Sequence, residues 1–226
     1  MTINTARIKA ICFDIDGTLN DTDGQYVDRL LPWFSPFAFL FAGRDAQKAA
    51  RRFVMWLEAP GNYMLGVPDI LGIDHLLAGM IERVNRFSKK KMRVFQPIEG
   101  VIEMVARLAD QYPLAVVSAR SEETTREFLA HTGLDKYISV TVGALTVEHT
   151  KPFPDPIVYA ASKMGVSAEQ CLMVGDTVVD IRAGRAAGAQ TLGVLCGFGE
   201  RWELEKANAD AILETTSALE GLLKKE

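Results

Sequence analysis

The chain has 226 residues, of which 48% are hydrophobic and 24% are charged, and its formal net charge at pH 7 is -4. This composition is typical of a globular protein that is long enough to bury a substantial core. The mild acidity argues against a nucleic-acid or membrane-surface binder, because such proteins usually carry clustered lysine and arginine. The compact basic run at 89–93 is interpreted as a solvated helix end.

Short apolar runs alternate with amphipathic stretches along most of the chain. The runs are rich in Val, Ile and Leu and do not alternate with polar residues, which predicts strands covered on both faces and hence a parallel sheet. Strands are predicted at 8–14, 114–119, 137–143, 170–176 and 191–196. Helices are predicted between them, at 101–111, 121–133, 155–165 and 178–188. This alternation predicts a doubly wound, Rossmann-like α/β core.

Residues 21–94 interrupt this rhythm, with helical periodicity, many aromatic side chains and no convincing strand. We interpret them as a helical cap domain inserted after the first strand, with the α/β core formed by 1–20 and 95–226. The apolar stretch 30–43 is shorter than a membrane span of about 20 residues and contains two prolines. It is expected to be buried or covered by a partner, so a monomer and a cap-mediated homodimer both remain open.

Three cysteines, Cys12, Cys171 and Cys196, lie within or beside apolar runs. An odd number of widely spaced cysteines in such positions predicts reduced, buried thiols in a cytoplasmic protein. The N-terminal residues 1–9 lack the apolar stretch of a signal peptide, which agrees with a cytoplasmic location.

Polar residues stand where the predicted strands end. Asp14 closes the first strand and is followed by Asp16, Ser118 closes the second, and Asp176 follows the fourth, with Asp180 one helical turn later. Ligands of open α/β sheets bind beyond the carboxyl ends of the strands, so these side chains are expected to converge. Converging carboxylates repel each other and raise each other's pKa unless a cation is present, and Mg²⁺ prefers such oxygen ligands together with a phosphate.

Four segments resemble the motifs of the haloacid dehalogenase superfamily. DIDGTLND, from Asp14, is similar to the first motif, and VVSAR contains Ser118, the serine of the second motif. Lys151 matches the lysine of the third motif, and GDTVVD, at 175–180, is similar to the fourth motif. The four occur in the family's order and span residues 14–180. The insertion after the first motif resembles the small helical cap of the phosphoglycolate-phosphatase-like and β-phosphoglucomutase-like branch.

The resemblance implies catalytic roles at four positions. Asp14 would be the nucleophile that forms an aspartyl-phosphate, and Asp16 the acid that protonates the leaving alkoxide and then the base that activates water. Ser118 would hold a phosphoryl oxygen, and Lys151 would neutralise charge on the nucleophile and the phosphoryl group. An acid at Asp16 also favours phosphate-ester hydrolysis over C–Cl or C–P cleavage, because an alkoxide leaving group must be protonated.

The resemblance also implies the ligand-binding residues. Mg²⁺ would be bound by Asp14, the main-chain carbonyl of Asp16, and Asp176, with Asp180 acting through water or as a supporting partner. The residues expected around the substrate phosphate are Gly17, Thr18, Ser118, Ala119, Arg120 and Lys151. Gly17 would allow a sharp turn, Thr18 would orient Asp16, and Arg120 would meet either the substrate or a carboxylate.

The predicted function is a Mg²⁺-dependent phosphatase of a small phosphorylated metabolite, of the phosphoglycolate or sugar phosphate type. Two alternatives remain open. A phosphomutase of the β-phosphoglucomutase type would share every core motif and differ only in the acceptor of the phosphoryl group. A phospho-ligand-binding module without turnover would use the same pocket but would need neither a nucleophile nor an acid.

Overall fold

A computed structural model of the chain describes residues 3–21, 32, 35 and 95–224. The chain divides into two units, Met1–Asp23 with Phe95–Glu226 and Gly24–Val94, and the helices and strands given below belong to the first. The predicted cap and the apolar stretch 30–43 therefore lie almost entirely outside the described residues.

Six parallel strands form a single sheet at the centre of the first unit. The strands are β1 (Ala10–Phe13), β2 (Leu114–Val117), β3 (Val140–Val142), β4 (Cys171–Gly175), β5 (Gln190–Val194) and β6 (Ala211–Leu213). Their order across the sheet is β3-β2-β1-β4-β5-β6. The chain reverses its direction of travel across the sheet after β3, so β1 and β4 flank the topological switch point at which ligands of such sheets bind.

Among the described residues, six helices connect or follow these strands. They are α1 (Val101–Ala109), α2 (Glu122–Thr132), α3 (Asp155–Lys163), α4 (Val178–Ala186), α5 (Arg201–Lys206) and α6 (Leu219–Leu223). Short 3₁₀ helices stand at Thr5–Arg7, Ala168–Gln170 and Thr216–Ala218. None of the helices in the described part of the chain combines the length and the apolar character that crossing a bilayer requires.

The sheet is buried on both faces because alternate residues of each strand enter different cores. In β1, Ile11 and Phe13 belong to a cluster with side chains of α1, α2 and α6. The intervening Ala10 and Cys12 belong to a second cluster with side chains of α3 and α4. All four β1 residues are fully buried, which explains why their sequence shows no polar alternation. The predicted doubly wound α/β fold is therefore confirmed.

Local capping chemistry sets the ends of α2 as predicted. The Ser121 hydroxyl accepts a hydrogen bond from the Thr124 backbone N–H at 3.3 Å, which satisfies one of the helix's first free amides. Gly133 ends the helix at φ +69°, a left-handed conformation that glycine adopts without the strain of a Cβ. This helix follows β2 directly, so its start also places the loop that carries Ser118 and Arg120.

The chain segments on either side of residues 22–94 lie side by side. The Asp21 N–H donates to the Gln96 carbonyl at 2.7 Å, and the Ile98 N–H donates to the Leu19 carbonyl at 3.0 Å. The buried Asn20 side chain adds a bond, since its Oδ1 accepts from the Gln96 N–H at 2.8 Å. Asp21 and Gln96, on either side of the insertion, are therefore direct hydrogen-bond neighbours.

The structure contains three elements that the sequence did not predict: β6, α5 and α6. β6 has only three half-buried residues, and α5 and α6 have six and five residues. Such short segments contain too few residues to show a periodicity. Of the cysteines, all free, Cys12 and Cys171 are buried as expected, whereas Cys196 is partly exposed in the loop after β5.

Candidate active site

The carboxyl ends of β1, β2 and β4 carry the polar residues of the site. Asp14 follows the last residue of β1, Ser118 follows β2, and Asp176 follows β4. All three are buried, with Asp176 fully inaccessible and Asp14 only 7% exposed. Because β2, β1 and β4 are neighbours in the sheet, these residues meet at one edge, as the sequence predicted.

Lys151 joins two of the carboxylates. Its Nζ donates to Asp14 Oδ1 and to Asp180 Oδ1, each at 2.6 Å, and the Lys151 side chain is 7% exposed. One buried ammonium thus lies between two buried carboxylates. Burial removes the hydration of all three charges, so each depends on its partners for compensation.

These contacts shift the proton affinities of the group. Burial raises the pKa of Asp14 to about 7; the Lys151 ammonium opposes that rise, and the Asp180 and Asp16 carboxylates add to it. For Lys151, burial alone would lower the pKa, but the charges of Asp14 and Asp180 outweigh it and the pKa lies above its usual value. Lys151 is therefore a cation at neutral pH, whereas Asp14 gains or loses its proton near pH 7.

Asp180 is held on both of its oxygens. Besides the Lys151 contact at Oδ1, its Oδ2 accepts from the Thr177 backbone N–H at 3.1 Å and from the Thr177 hydroxyl at 2.7 Å. Thr177 and Asp180 form the capping box that begins α4, which satisfies the free amides of the first turn. Asp180 therefore both caps α4 and pairs with the buried Lys151 ammonium.

Asp176 is fixed by two segments far from it in the sequence. The Phe198 N–H donates to its Oδ2 at 2.8 Å, and the Thr18 hydroxyl donates to its Oδ1 at 3.4 Å. The expectation that Thr18 orients Asp16 is wrong in this respect, because its fully buried hydroxyl bonds Asp176 instead. The loop after β5 thus helps to hold Asp176 in place.

Two glycines allow the backbone to approach Asp176 closely. Gly17 has φ +75°, and a Cβ at that position would lie 2.3 Å from Asp176 Oδ2. A Cβ at Gly197 would lie 2.2 Å from the same oxygen. No side chain fits at these distances, so glycine is required at both positions for steric reasons.

Asp16 is paired with Arg120 across the mouth of the site. Arg120 Nε donates to Asp16 Oδ2 at 2.6 Å, and Arg120 Nη2 contacts Asp16 Oδ1. The Arg120 backbone N–H donates to the Ser118 hydroxyl at 3.2 Å, so the two residues share one loop. Ala119, between them, is exposed. The predicted contact of Arg120 with a carboxylate is thus the one observed in the structure.

The donor set at this edge fits a hard divalent cation. Asp14, Asp176 and Asp180 each offer a carboxylate oxygen, and these oxygens lie within 4.8 Å of one another. Mg²⁺ prefers oxygen ligands, and ionised carboxylates supply them. Asp180 accepts hydrogen bonds on both oxygens, from Lys151 and Thr177, and Asp176 likewise accepts on both, from Thr18 and Phe198.

A family comparison agrees with this geometry. The sequence model of the haloacid dehalogenase-like hydrolases matches residues 11–194. This range includes most of β1, all of β4, and Asp14, Lys151 and Asp180. The chain belongs to this family.

Two curated relatives extend the likeness over most of the chain. Pyrophosphatase PpaX of Halalkalibacterium halodurans is 30% identical over 198 residues, covering 87% of both chains. A phosphoglycolate phosphatase of Cupriavidus necator is 29% identical over 224 residues, covering 95% of this chain and 92% of its own. Together, the family and these phosphatase-named relatives support a phosphatase-type hydrolase.

Solved structures share the fold. A haloacid dehalogenase-like family hydrolase from Streptococcus pneumoniae superposes with a TM-score of 0.70 at 22% identity, covering 97% of this chain and 100% of its own. A hydrolase from Pseudomonas syringae superposes with a TM-score of 0.62 at 24% identity, covering 95% and 97%.

Proposed function

We propose that the protein is a Mg²⁺-dependent phosphatase that hydrolyses a small phosphorylated metabolite through an aspartyl-phosphate. The observation that carries the proposal is the buried Lys151 ammonium between Asp14 and Asp180. Asp16 follows Asp14 two residues later in the chain. A nucleophile, a fixed cation and a second carboxylate within one site are what two-step phosphoryl transfer to water requires.

In the first step, the Asp14 carboxylate attacks phosphorus through Oδ2 while Lys151 holds Oδ1. The bond from phosphorus to the ester oxygen breaks, and Asp16 gives its proton to the departing alkoxide. In the second step, Asp16 takes a proton from water, whose oxygen attacks phosphorus and releases Asp14. The sum is phosphate ester plus water giving alcohol plus phosphate, and both carboxylates return to their starting states.

Asp14, the Asp16 main-chain carbonyl and Asp176 are the groups that would bind Mg²⁺. Bound there, the ion would offset the carboxylate charges and polarise the phosphoryl oxygens. Ser118 is 5% exposed and stands beside Asp14 at the end of the adjacent strand, a position suited to a phosphoryl oxygen. Lys151 adds a positive charge that is present at every working pH.

The proposal includes a helical cap formed by residues 21–94. Its support is the division of the chain at Gly24–Val94 and the paired segments at Asp21 and Gln96, which bring the two ends of the insertion together. Closing such a domain over a site excludes water and supplies substrate contacts. The substrate class, of the phosphoglycolate or sugar phosphate type, is suggested by the phosphoglycolate phosphatase relative.

The test is phosphate release from a panel of phosphorylated metabolites, with Mg²⁺, with a chelator, and with Asp14→Asn. We expect release that requires Mg²⁺ and is lost in the variant, because an amide cannot form the aspartyl-phosphate. Asp135→Asn is the matched control, since Asp135 is exposed and lies between α2 and the amino end of β3 rather than at the carboxyl end of a strand. If folded wild-type protein releases no phosphate from any substrate, hydrolysis is excluded, and phosphoryl transfer between hexose phosphates should be measured.

A further inference from the structure

The pair formed by Asp16 and Arg120 is the most unusual contact of the site. The Arg120 guanidinium engages both carboxylate oxygens of Asp16, with Nε at 2.6 Å from Oδ2 and Nη2 on Oδ1. This fork-on-fork arrangement is among the strongest pairings available to two side chains, and it fixes the plane of the carboxylate as well as its position. It joins residues that are 104 positions apart in the sequence.

The guanidinium is itself placed by its surroundings. Its Cζ lies 5.8 Å from the centre of the Phe95 ring and 5.9 Å from that of Phe128, within range of cation–π attraction. The Arg120 carbonyl accepts from the Ala144 N–H at 2.9 Å, which ties the loop to the segment after β3. These contacts do not involve Asp16.

The pair conflicts with the proposed role of Asp16. To act on the leaving-group oxygen, Asp16 must turn one carboxylate oxygen toward it, yet both oxygens are occupied by Arg120. At least one of the two contacts must therefore open before the reaction. Without another anion, that opening would deprive the guanidinium of a strong partner, which is costly for a half-buried charge.

The pair is accessible enough for a ligand to supply that anion. The side chains of Arg120 and Asp16 are 18% and 31% exposed, whereas those of Lys151 and Asp14 are 7% and 10% exposed. Arg120 thus contacts Asp16, the proposed acid for the leaving group, while Lys151 is enclosed with the nucleophile. A planar carboxylate or a phosphoryl group matches the guanidinium fork as well as Asp16 does.

We propose that Arg120 recognises a second anionic group on the leaving-group side of the substrate, a carboxylate or a phosphoryl group, and exchanges Asp16 for it on binding. This exchange turns Asp16 toward the leaving-group oxygen, so substrates without a second anion are hydrolysed poorly. The inference rests on the proposed function and deepens it, because it assigns Arg120 to the leaving group rather than to the transferred phosphate.

The test compares 2-phosphoglycolate with 2-phosphoglycolamide, which differ only in the charge of the group that Arg120 would contact. Wild-type kcat/KM should favour the acid by roughly tenfold to a hundredfold, the range of one charge-assisted hydrogen bond. In Arg120→Met this preference should fall to near unity, and in Arg120→Lys, which keeps the charge without the fork, it should be intermediate. Arg126→Met, at a 70% exposed arginine on α2, should keep the wild-type preference.

Pyrophosphate provides a second arm, in which a phosphoryl group replaces the carboxylate. A larger loss in Arg120→Met on pyrophosphate than on 2-phosphoglycolate would identify a phosphoryl group as the natural anion, and the reverse would identify a carboxylate. The change in kcat/KM caused by each substitution is compared between two substrates. A substitution that acts only through the structure lowers kcat/KM for all substrates alike, so it leaves the ratio between substrates unchanged.

Two results would overturn the inference and are distinguishable. If wild-type protein hydrolyses the acid and the amide equally well, or if Arg120→Met keeps the wild-type preference, Arg120 does not recognise the leaving group, while the phosphatase proposal stands. If wild-type protein with Mg²⁺ hydrolyses no phosphorylated substrate, the proposed function fails and the inference fails with it. Should Arg120→Met not fold, an unchanged preference in Arg120→Lys would also count against the inference.

Discussion

Replacing Lys151 by methionine is the perturbation for which the structure predicts the largest effect on stability. The substitution keeps an unbranched side chain of similar length and removes the charge that lies 2.6 Å from both Asp14 and Asp180. Two buried carboxylates would then face each other without their cation. Removing one partner of a buried ion pair costs about 3–5 kcal/mol, because the remaining charge has lost both its hydration and its compensation.

The assay is urea unfolding at pH 8 in the presence of a chelator. For a slope of about 2 kcal/mol per molar urea, the unfolding midpoint of Lys151→Met should fall by roughly 2 M relative to wild type. Lys206→Met is the control; Lys206 is exposed at the end of α5, and its loss should change the free energy of unfolding by less than about 0.5 kcal/mol.

The pH dependence of this loss separates charge from packing. The Lys151 ammonium lowers the pKa of Asp14, so the variant's Asp14 should hold its proton to a pH above about 7. A protonated carboxyl needs no counter-charge, and the destabilisation should therefore be smaller at pH 5 than at pH 8. Adding Asp14→Asn to Lys151→Met should restore part of the stability at pH 8. Equal midpoints for wild type and Lys151→Met at pH 8 would refute the view that Lys151 balances these charges.

Two further predictions follow from the same geometry. Gly17→Ala should destabilise the protein more than Gly165→Ala. Both glycines have φ near +75°, so alanine carries a strain of about 1–2 kcal/mol at either position, but of the two only a Cβ at Gly17 would meet Asp176 Oδ2, at 2.3 Å. Equal midpoints of the two variants in thermal unfolding would contradict this. In Mg²⁺-free wild type, the free energy of unfolding should fall as pH rises from about 4 to about 7, because Asp14 keeps its proton when folded (pKa about 7) and loses it when unfolded (usual value 3.8). In Asp14→Asn this fall in the free energy of unfolding should be absent. Parallel pH profiles in the variant and in wild type would show that Asp14 does not cause it.

Local patterns in the sequence determined the architecture and the position of the site. The apolar runs, the Ser121 and Gly133 boundaries of α2, and the strand-end positions of Asp14 and Asp176 are set by residues that are near each other in the chain. A strand covered on both faces must be apolar throughout, and parallel strands present their carboxyl ends at one edge, so the convergence could be predicted without coordinates.

The tertiary structure alone decided the pairings within the site. Lys151 and Asp14 are 137 positions apart, Arg120 and Asp16 are 104 apart, and the Phe198 amide and Asp176 are 22 apart. Which oxygen receives which donor depends on strand register, loop path and side-chain rotamer, and none of these leaves a periodic signal in the sequence. Thr18 illustrates the limit, because its motif position was recognised but the direction of its hydroxyl was not. A hydrogen bond requires its donor and acceptor to lie about 3 Å apart. The spacing of residues along the chain does not specify such distances, which are set only when the chain folds.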